Sequence, residues 1–141
     1  MAVPNVYINF WAVLVSAITA FIIGGLWYSP ILFGNAWMKT GGMNAKDMEK
    51  AKNRGVGKLY FVSFLGGLLM AYILAHFVQY LSSSNFLEGM VAGCWLWLGF
   101  IVPVLLGSVL WEGKPLKFYL INVGYYLVSL TVMGGILAAW G

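Results

Sequence analysis

The sequence contains little charge and few residues that bind metals. Asp, Glu, Lys and Arg make up 9% of its 141 residues, against about 25% in soluble domains. It has one cysteine, Cys94, and one histidine, His76. An internal disulfide is therefore impossible, and a metal site built from His and Cys ligands has no basis. We expect no metal centre, and the low charge argues against a water-soluble globule.

Catalytic motifs are absent as well. The sequence has no Gly-rich phosphate-binding loop and no Gly-x-Ser-x-Gly nucleophile elbow. The formal charge is +4, but the basic stripe interleaved with aromatic residues that is typical of nucleic-acid binding is missing. We therefore expect no catalysis, no cofactor and no nucleic-acid partner.

Hydrophobic side chains are abundant. They make up 62% of the residues, and the mean hydropathy is +0.87. Four apolar segments cover about 6–28, 59–81, 86–110 and 116–140. Because an α-helix rises about 1.5 Å per residue, each segment is long enough to cross a bilayer core about 30 Å thick. The predicted fold is a single all-α domain, an integral membrane protein with four transmembrane helices.

The basic residues predict the orientation of these helices. All eight lie in the first and third connections: Lys39, Lys46, Lys50, Lys52, Arg54, Lys58, Lys114 and Lys117. Since Lys and Arg accumulate in cytoplasmic loops, residues 29–58 and 111–117 are predicted to be cytoplasmic and both termini to lie outside. We expect a multi-pass protein of a bacterial cytoplasmic membrane, in contact with the lipid bilayer.

The first connection has helical signals of its own. Ser29 followed by Pro30 is typical of a helix start, and the apolar residues after them suit a short helix lying in the membrane interface. Asn44 is placed to cap a second short helix, amphipathic and cytoplasmic, which runs to about Asn53 and stops before Gly55.

Small residues recur at four-residue spacing in three of the predicted spans. They are Ser16, Ala20 and Gly24 in the first, Ser63, Gly67, Ala71 and Ala75 in the second, and Gly89 and Gly93 in the third. Such stripes let helices approach closely in lipid, and their number predicts a homo-oligomer. Alternatively, the glycines line a narrow permeation path.

The third span contains a proline at mid-membrane depth. Pro103 has no backbone N–H and leaves the carbonyl of Gly99 without its helical partner, so a kink is expected there. Gly99 and Pro103 are therefore a candidate hinge, although a static packing kink gives the same pattern.

Two groups of polar residues are candidate sites. At the outer end, His76, Glu88 and Asn9 are predicted at similar depth, where a histidine near a carboxylate can relay protons or sense pH. A hydrogen-bonded interfacial histidine beside a solvated glutamate is the alternative. At the inner end, the candidate polar site consists of Glu112, Asn122, Tyr126 and Ser129, flanked by Trp111, Trp27 and Tyr28.

The inner site also has two interpretations. Asn122, Tyr126 and Ser129 recur at helical spacing, and polar groups at membrane depth need partners. Glu112 can supply one and complete a functional site. Alternatively, it pairs with Lys114 and simply ends the helix hairpin.

One run of residues is unusual for any composition: Leu26-Trp27-Tyr28-Ser29-Pro30-Ile31-Leu32-Phe33-Gly34-Asn35-Ala36-Trp37-Met38. Together with Trp111 to Pro115 and Asn122 to Tyr126, it resembles the bacterial membrane family catalogued as domain of unknown function 1761. The resemblance covers nearly the whole chain, apart from residues 39–58, which match no feature of that family. It implies a small polytopic protein and assigns no catalytic or binding residue.

Two functional hypotheses follow. The first is a small homo-oligomeric transport or permeation protein that uses the inner polar site and the Pro103 hinge. The second is an accessory or scaffold subunit of a larger membrane complex, without catalysis. An enzyme acting on lipid headgroups would depend on Glu112, or on His76 with Glu88.

Overall fold

The computed structural model describes residues 6–42 and 45–140. Within these residues all regular structure is helical. The helices are α1 (Phe10–Trp27), α2 (Gly34–Thr40), α3 (Ala45–Asn53), α4 (Val56–Tyr80), α5 (Phe86–Leu96), a π-helical segment (Trp97–Ile101), α6 (Val102–Leu105), α7 (Gly107–Leu110) and α8 (Leu116–Trp140).

Four helical stretches are long and apolar enough to cross a membrane: α1, α4, the stretch Phe86–Leu110, called the third span below, and α8. The prediction of an all-α membrane protein with four spanning helices is thereby confirmed. We call the end of the bundle that carries the connections 28–55 and 111–115 the basic end, because these connections hold most of the Lys and Arg residues.

Two asparagines define where spans begin at the opposite end. The side-chain oxygen of Asn9 accepts from the backbone N–H groups of Trp11 and Ala12, at 3.1 and 3.3 Å. Asn85 accepts in the same way from the N–H of Glu88 at 2.9 Å. These bonds satisfy donors that the first helical turn leaves free, so α1 begins at Phe10 and α5 at Phe86.

The helix α8 lies at the centre of the bundle. In its most apolar 18-residue window 44% of the residues are buried, against 17–28% in the other three spans. It packs on α1, α4 and α5. Fully buried Met133 of α8 joins Ala17 of α1 and Leu74 of α4 in one apolar core.

Glycines allow α5 to touch the backbone of α8. A Cβ atom on Gly89 would overlap the carbonyl oxygen of Gly134, and one on Gly93 would overlap that of Leu130. The Gly89-x-x-x-Gly93 stripe is therefore a seam inside the bundle. On α4 the predicted stripe is divided, because Ala71 is buried whereas Gly67 has open space where a side chain would be.

The third span is irregular below α5. A π-helical turn at Trp97–Ile101 precedes Pro103, and two short helices follow it. The wider turn places its extra residue beside Gly99, whose carbonyl cannot bond to proline. The kink predicted from Pro103 is thus present as a π-helical distortion.

The start of α2 differs from the prediction. Ser29 does not cap a helix, because its hydroxyl donates to the carbonyl oxygen of Leu26 at 2.7 Å and the chain turns until α2 begins at Gly34. Gly34 packs against the backbone of Tyr28 and Ser29, where a Cβ atom would overlap. The predicted cap Asn44 lies outside the described residues. The second short helix, α3, ends at Asn53 ahead of Gly55, as predicted.

Candidate functional site

Two of the residues predicted at the basic end form a direct bond between distant parts of the chain. The hydroxyl of Tyr28, which follows the end of α1, donates to the side-chain oxygen of Asn122 on α8 at 2.7 Å. Burial, with the neighbouring Tyr126 and Tyr125, raises the pKa of Tyr28 well above its usual value. Tyr28 therefore stays protonated and remains a donor across the physiological pH range.

Two tryptophans bind α8 near the same level. The indole N–H of Trp27 donates to the carbonyl oxygen of Ile121 at 2.9 Å, and that of Trp97 donates to Val123 at 2.7 Å. The Trp27 ring lies against Gly124, where a Cβ atom would be only 3.0 Å away. Sequence reasoning missed Trp97, although an indole N–H in an apolar span always needs an acceptor.

The first connection is fastened to the start of α8. The ring of Trp37 stacks on Phe118 with centroids 6.1 Å apart, and its edge faces the ring of Tyr28 at 5.3 Å. Lys114 donates to the carbonyl oxygen of Gly41 at 2.7 Å and lies 5.7 Å from the Phe118 ring centroid. A cation is thereby held at the carboxyl end of α2, where helix carbonyls lack partners.

Glu112 and Trp111 lie apart from this cluster. Trp111 is 88% exposed. Glu112 is exposed too: its backbone N–H donates to the carbonyl oxygen of Gly107 at 3.3 Å, but its carboxylate has no hydrogen bond or ion pair to any described residue. Gly113, at φ +69°, turns the chain just after them. The structure thus brings Trp27, Tyr28 and Asn122 together and leaves Glu112 at the surface.

Polar groups continue from this cluster into the bundle along the contact between α1 and α8. Tyr125 donates its hydroxyl hydrogen to the carbonyl oxygen of Ala20 at 3.0 Å. The two helices are antiparallel, so Ser129, one turn beyond Tyr125, lies at the level of Ser16, one turn before Ala20. We call the row Tyr28, Asn122, Tyr125, Ser129 and Ser16 the polar seam.

The two serines at the end of the polar seam are fully buried. Ser16 is 0% exposed and Ser129 1%. Neither hydroxyl oxygen has a hydrogen-bond partner among the described protein atoms. A buried hydroxyl without a partner costs about 1–3 kcal/mol. Ser129 was predicted as a site residue, and the small-residue stripe of α1 was the signal that could have added Ser16.

Tyr126, the remaining residue of the predicted inner site, is partly buried beside the polar seam. Its ring centroid lies 5.0 Å from that of Tyr125. The α8 stripe predicted from helical spacing therefore divides: Asn122 and Ser129 join the polar seam directly, and Tyr126 flanks it.

The predicted outer residues His76, Glu88 and Asn9 each hydrogen-bond to backbone groups close to them in the sequence. Nδ1 of His76 lies 2.8 Å from the carbonyl oxygen of Tyr72. Glu88 accepts from the backbone N–H of Ser84 at 2.8 Å, and Asn9 caps α1. None of the three forms a hydrogen bond or ion pair with another, and the described residues contain no group of three or more His, Cys, Asp or Glu side chains that could hold a metal ion.

At the candidate hinge, Gly99 and Pro103 lie in and just after the π-helical segment. A Cβ atom on Gly99 would meet open space. The carbonyl oxygen of Val102, next to Pro103, accepts from the hydroxyl of Tyr119 at 2.8 Å. This bond ties the irregular part of the third span to α8.

Comparison with known proteins agrees with the motif at the basic end. No curated protein and no solved structure matches the chain. Residues 11–138, nearly the whole sequence, match the family described as protein of unknown function DUF1761. This chain therefore belongs to the DUF1761 family. The motif by which its sequence resembles that family includes the residues that fasten α1 and α2 to α8.

Proposed function

We propose that this protein is a small homo-oligomeric transport or permeation protein, and that its solute passes along the polar seam between α1 and α8. The single observation that carries this proposal is the pair of buried, unpartnered hydroxyls of Ser16 and Ser129. Alanine would fit the same space without the cost of desolvating a hydroxyl. Hydroxyls in this position are suited to meet a polar molecule that enters the bundle.

The proposed orientation places the basic end in the bacterial cytoplasm. Six of the eight Lys and Arg residues lie in the two connections at this end. The other two, Lys58 and Lys117, lie in the first turns of α4 and α8, next to these connections. The positive-inside rule then puts both ends of the chain outside. The polar seam would open on the cytoplasmic side, at Tyr28 and Asn122.

The proposed homo-oligomer is supported by the surfaces left free by the bundle. Gly66 and Gly67 of α4 have open space where a side chain would be. Small residues on an exposed helix face allow close approach of another helix, which lipid alone does not promote.

Flux into proteoliposomes tests the proposal. Purified protein is reconstituted and the entry of potassium, chloride, protons, water, urea and glycerol is measured against empty vesicles. We expect at least one flux to exceed that of empty vesicles and to fall in Ser129→Val, because valine fills the polar seam and removes its hydroxyl. Thr131→Val is the matched control, since it removes from α8 a hydroxyl that bonds to carbonyl oxygens of its own helix and is not part of the polar seam. Equal flux in all three proteins would contradict the role of the polar seam.

A second role is favoured by one other feature. An apolar groove of about 370 Å³ lies between α4, the third span and α8, lined among others by Leu69, Ile73, Phe77 and Phe100. Such a groove suits an accessory subunit that packs against other membrane helices. If no tested solute crosses with wild-type protein, this second role replaces the first.

A further inference from the structure

We infer that the solute is a small uncharged molecule that both donates and accepts hydrogen bonds; this inference rests on the proposed route along the polar seam. Ser16 and Ser129 form its binding site in the middle of the bundle. The inference follows from the charge, the hydrogen-bonding capacity and the size of the groups along the polar seam.

Charge is absent from the helices that form the polar seam. Residues 10–27 of α1 and 119–140 of α8 include no Asp, Glu, Lys, Arg or His. The polar seam consists of two phenols, one amide and two serine hydroxyls. An ion that left water here would meet no opposite charge, and burying an unpaired charge in a medium of low dielectric constant is strongly unfavourable.

The entrance adds a second constraint. Lys39 and Lys117 are exposed at the basic end, and Lys114 binds the connection beside the polar seam. This positive rim disfavours cations at the entrance. It attracts anions, but they would find no cation beyond the entrance. A neutral molecule escapes both penalties.

Hydrogen-bonding capacity defines the chemical class further. Each serine hydroxyl offers one donor and two acceptor lone pairs. Ser16 and Ser129 lie at one level, and Tyr125 and Ala20 are already paired with each other one turn away. A molecule between the serines must therefore supply acceptors as well as donors. Water, urea and glycerol belong to this class.

The neighbours of the serines limit the size. Ala12, Ala17 and Ala20 of α1 are buried, at no more than 5% exposure. These small side chains are packed in the core that α1 shares with α4 and α8, so there is no room for a bulky solute without moving a helix. The site suits a molecule of a few non-hydrogen atoms.

The experiment measures neutral and ionic fluxes in the same vesicles. Stopped-flow light scattering gives the permeability to water, urea and glycerol, and entrapped dyes report potassium, chloride and protons. The proteins are wild type, the double variant Ser16→Ala/Ser129→Ala, the control Thr131→Val, whose hydroxyl is bonded within its own helix, and Ser129→Thr, which keeps a hydroxyl.

We expect wild type to conduct at least one neutral probe and no ion. In the double variant that flux should fall about tenfold, which corresponds to about 1.4 kcal/mol of lost hydrogen bonding. Thr131→Val should match wild type, and Ser129→Thr should retain most of the flux. Thermal unfolding of every variant separates a lost site from a lost fold.

Three other outcomes would each contradict a different part of the proposal. An ion or proton flux that the double variant abolishes would overturn the uncharged class and leave permeation along the polar seam intact. A neutral flux that survives in the folded double variant would overturn the serine site. Absence of every flux in wild type would overturn the proposed function itself.

Discussion

The two halves of the third span contact the same helix, α8, in different ways. The α5 half lies directly on the α8 backbone, because Gly89 and Gly93 have no side chains to hold the helices apart. The other half, from Trp97 onward, is irregular and is tied to α8 by side-chain hydrogen bonds from Trp97 and Tyr119.

The difference shows two ways of holding helices together in lipid. Close backbone contact gains dispersion energy over many atoms and needs glycine at each point of contact. Individual hydrogen bonds across helices are worth less, about 0.6 kcal/mol on average in membranes. We therefore expect the α5 half to be the rigid part of the third span and the other half to open more readily.

The largest effect is expected from a side chain in the glycine seam. Gly93→Leu should destabilise the protein by about 3 kcal/mol, because the new Cβ atom would overlap the carbonyl oxygen of Leu130 and the backbones must separate. Denaturation in detergent micelles measures the loss. Gly99→Leu is the matched control: its Cβ atom meets open space, so its stability should change by less than about 1 kcal/mol. Similar losses in both would remove the distinction between the two halves.

An intermediate effect is expected from the side-chain bonds. Tyr119→Phe removes the donor to Val102 and should cost about 0.5–1.5 kcal/mol. Hydrogen exchange should become faster in residues 102–110 and stay unchanged in α5. Tyr60→Phe is the control, because Tyr60 is exposed and packs only its ring on Phe21. Faster exchange in α5 as well would mean that the span opens as one unit.

The smallest effect is expected from the proline. Pro103→Ala restores a backbone N–H that can bond to the carbonyl of Gly99, and should convert the π-helical turn toward regular α-helix. Exchange at residues 101–107 should slow, with a stability change below about 1 kcal/mol. If exchange there is unaltered, the distortion has a cause other than Pro103, and the tie to α8 through Trp97 becomes the first alternative.

Part of the site could be predicted from the sequence. Trp27, Tyr28 and Asn122 were placed at one end because helix length fixes which end of a span a residue occupies, and the structure brings them together. Glu112 was grouped with them for the same reason, yet it lies at the surface, just before the turn at Gly113. Depth in the membrane was predictable, but the direction of a side chain around its helix was not.

The missed residues illustrate the same limit. Trp97, Tyr125 and Ser16 lie in apolar spans without a strongly polar face, so the helical pattern does not show which side faces α8. Their polar atoms signalled only that an acceptor or donor had to be nearby.

The sequence by itself determined the four spanning helices, the start of the third at Phe86 and the distribution of basic residues, whereas the cap at Asn9 came from the structure. These are local properties, set by runs of apolar residues, by caps and by charge along the chain. Only the tertiary structure decided that α8 is central, that Gly89 and Gly93 lie on its backbone, and that Ser16 and Ser129 are fully buried. Each span is apolar on nearly all sides, so hydrophobicity cannot select the packed face. Close fit between distant segments selects it instead.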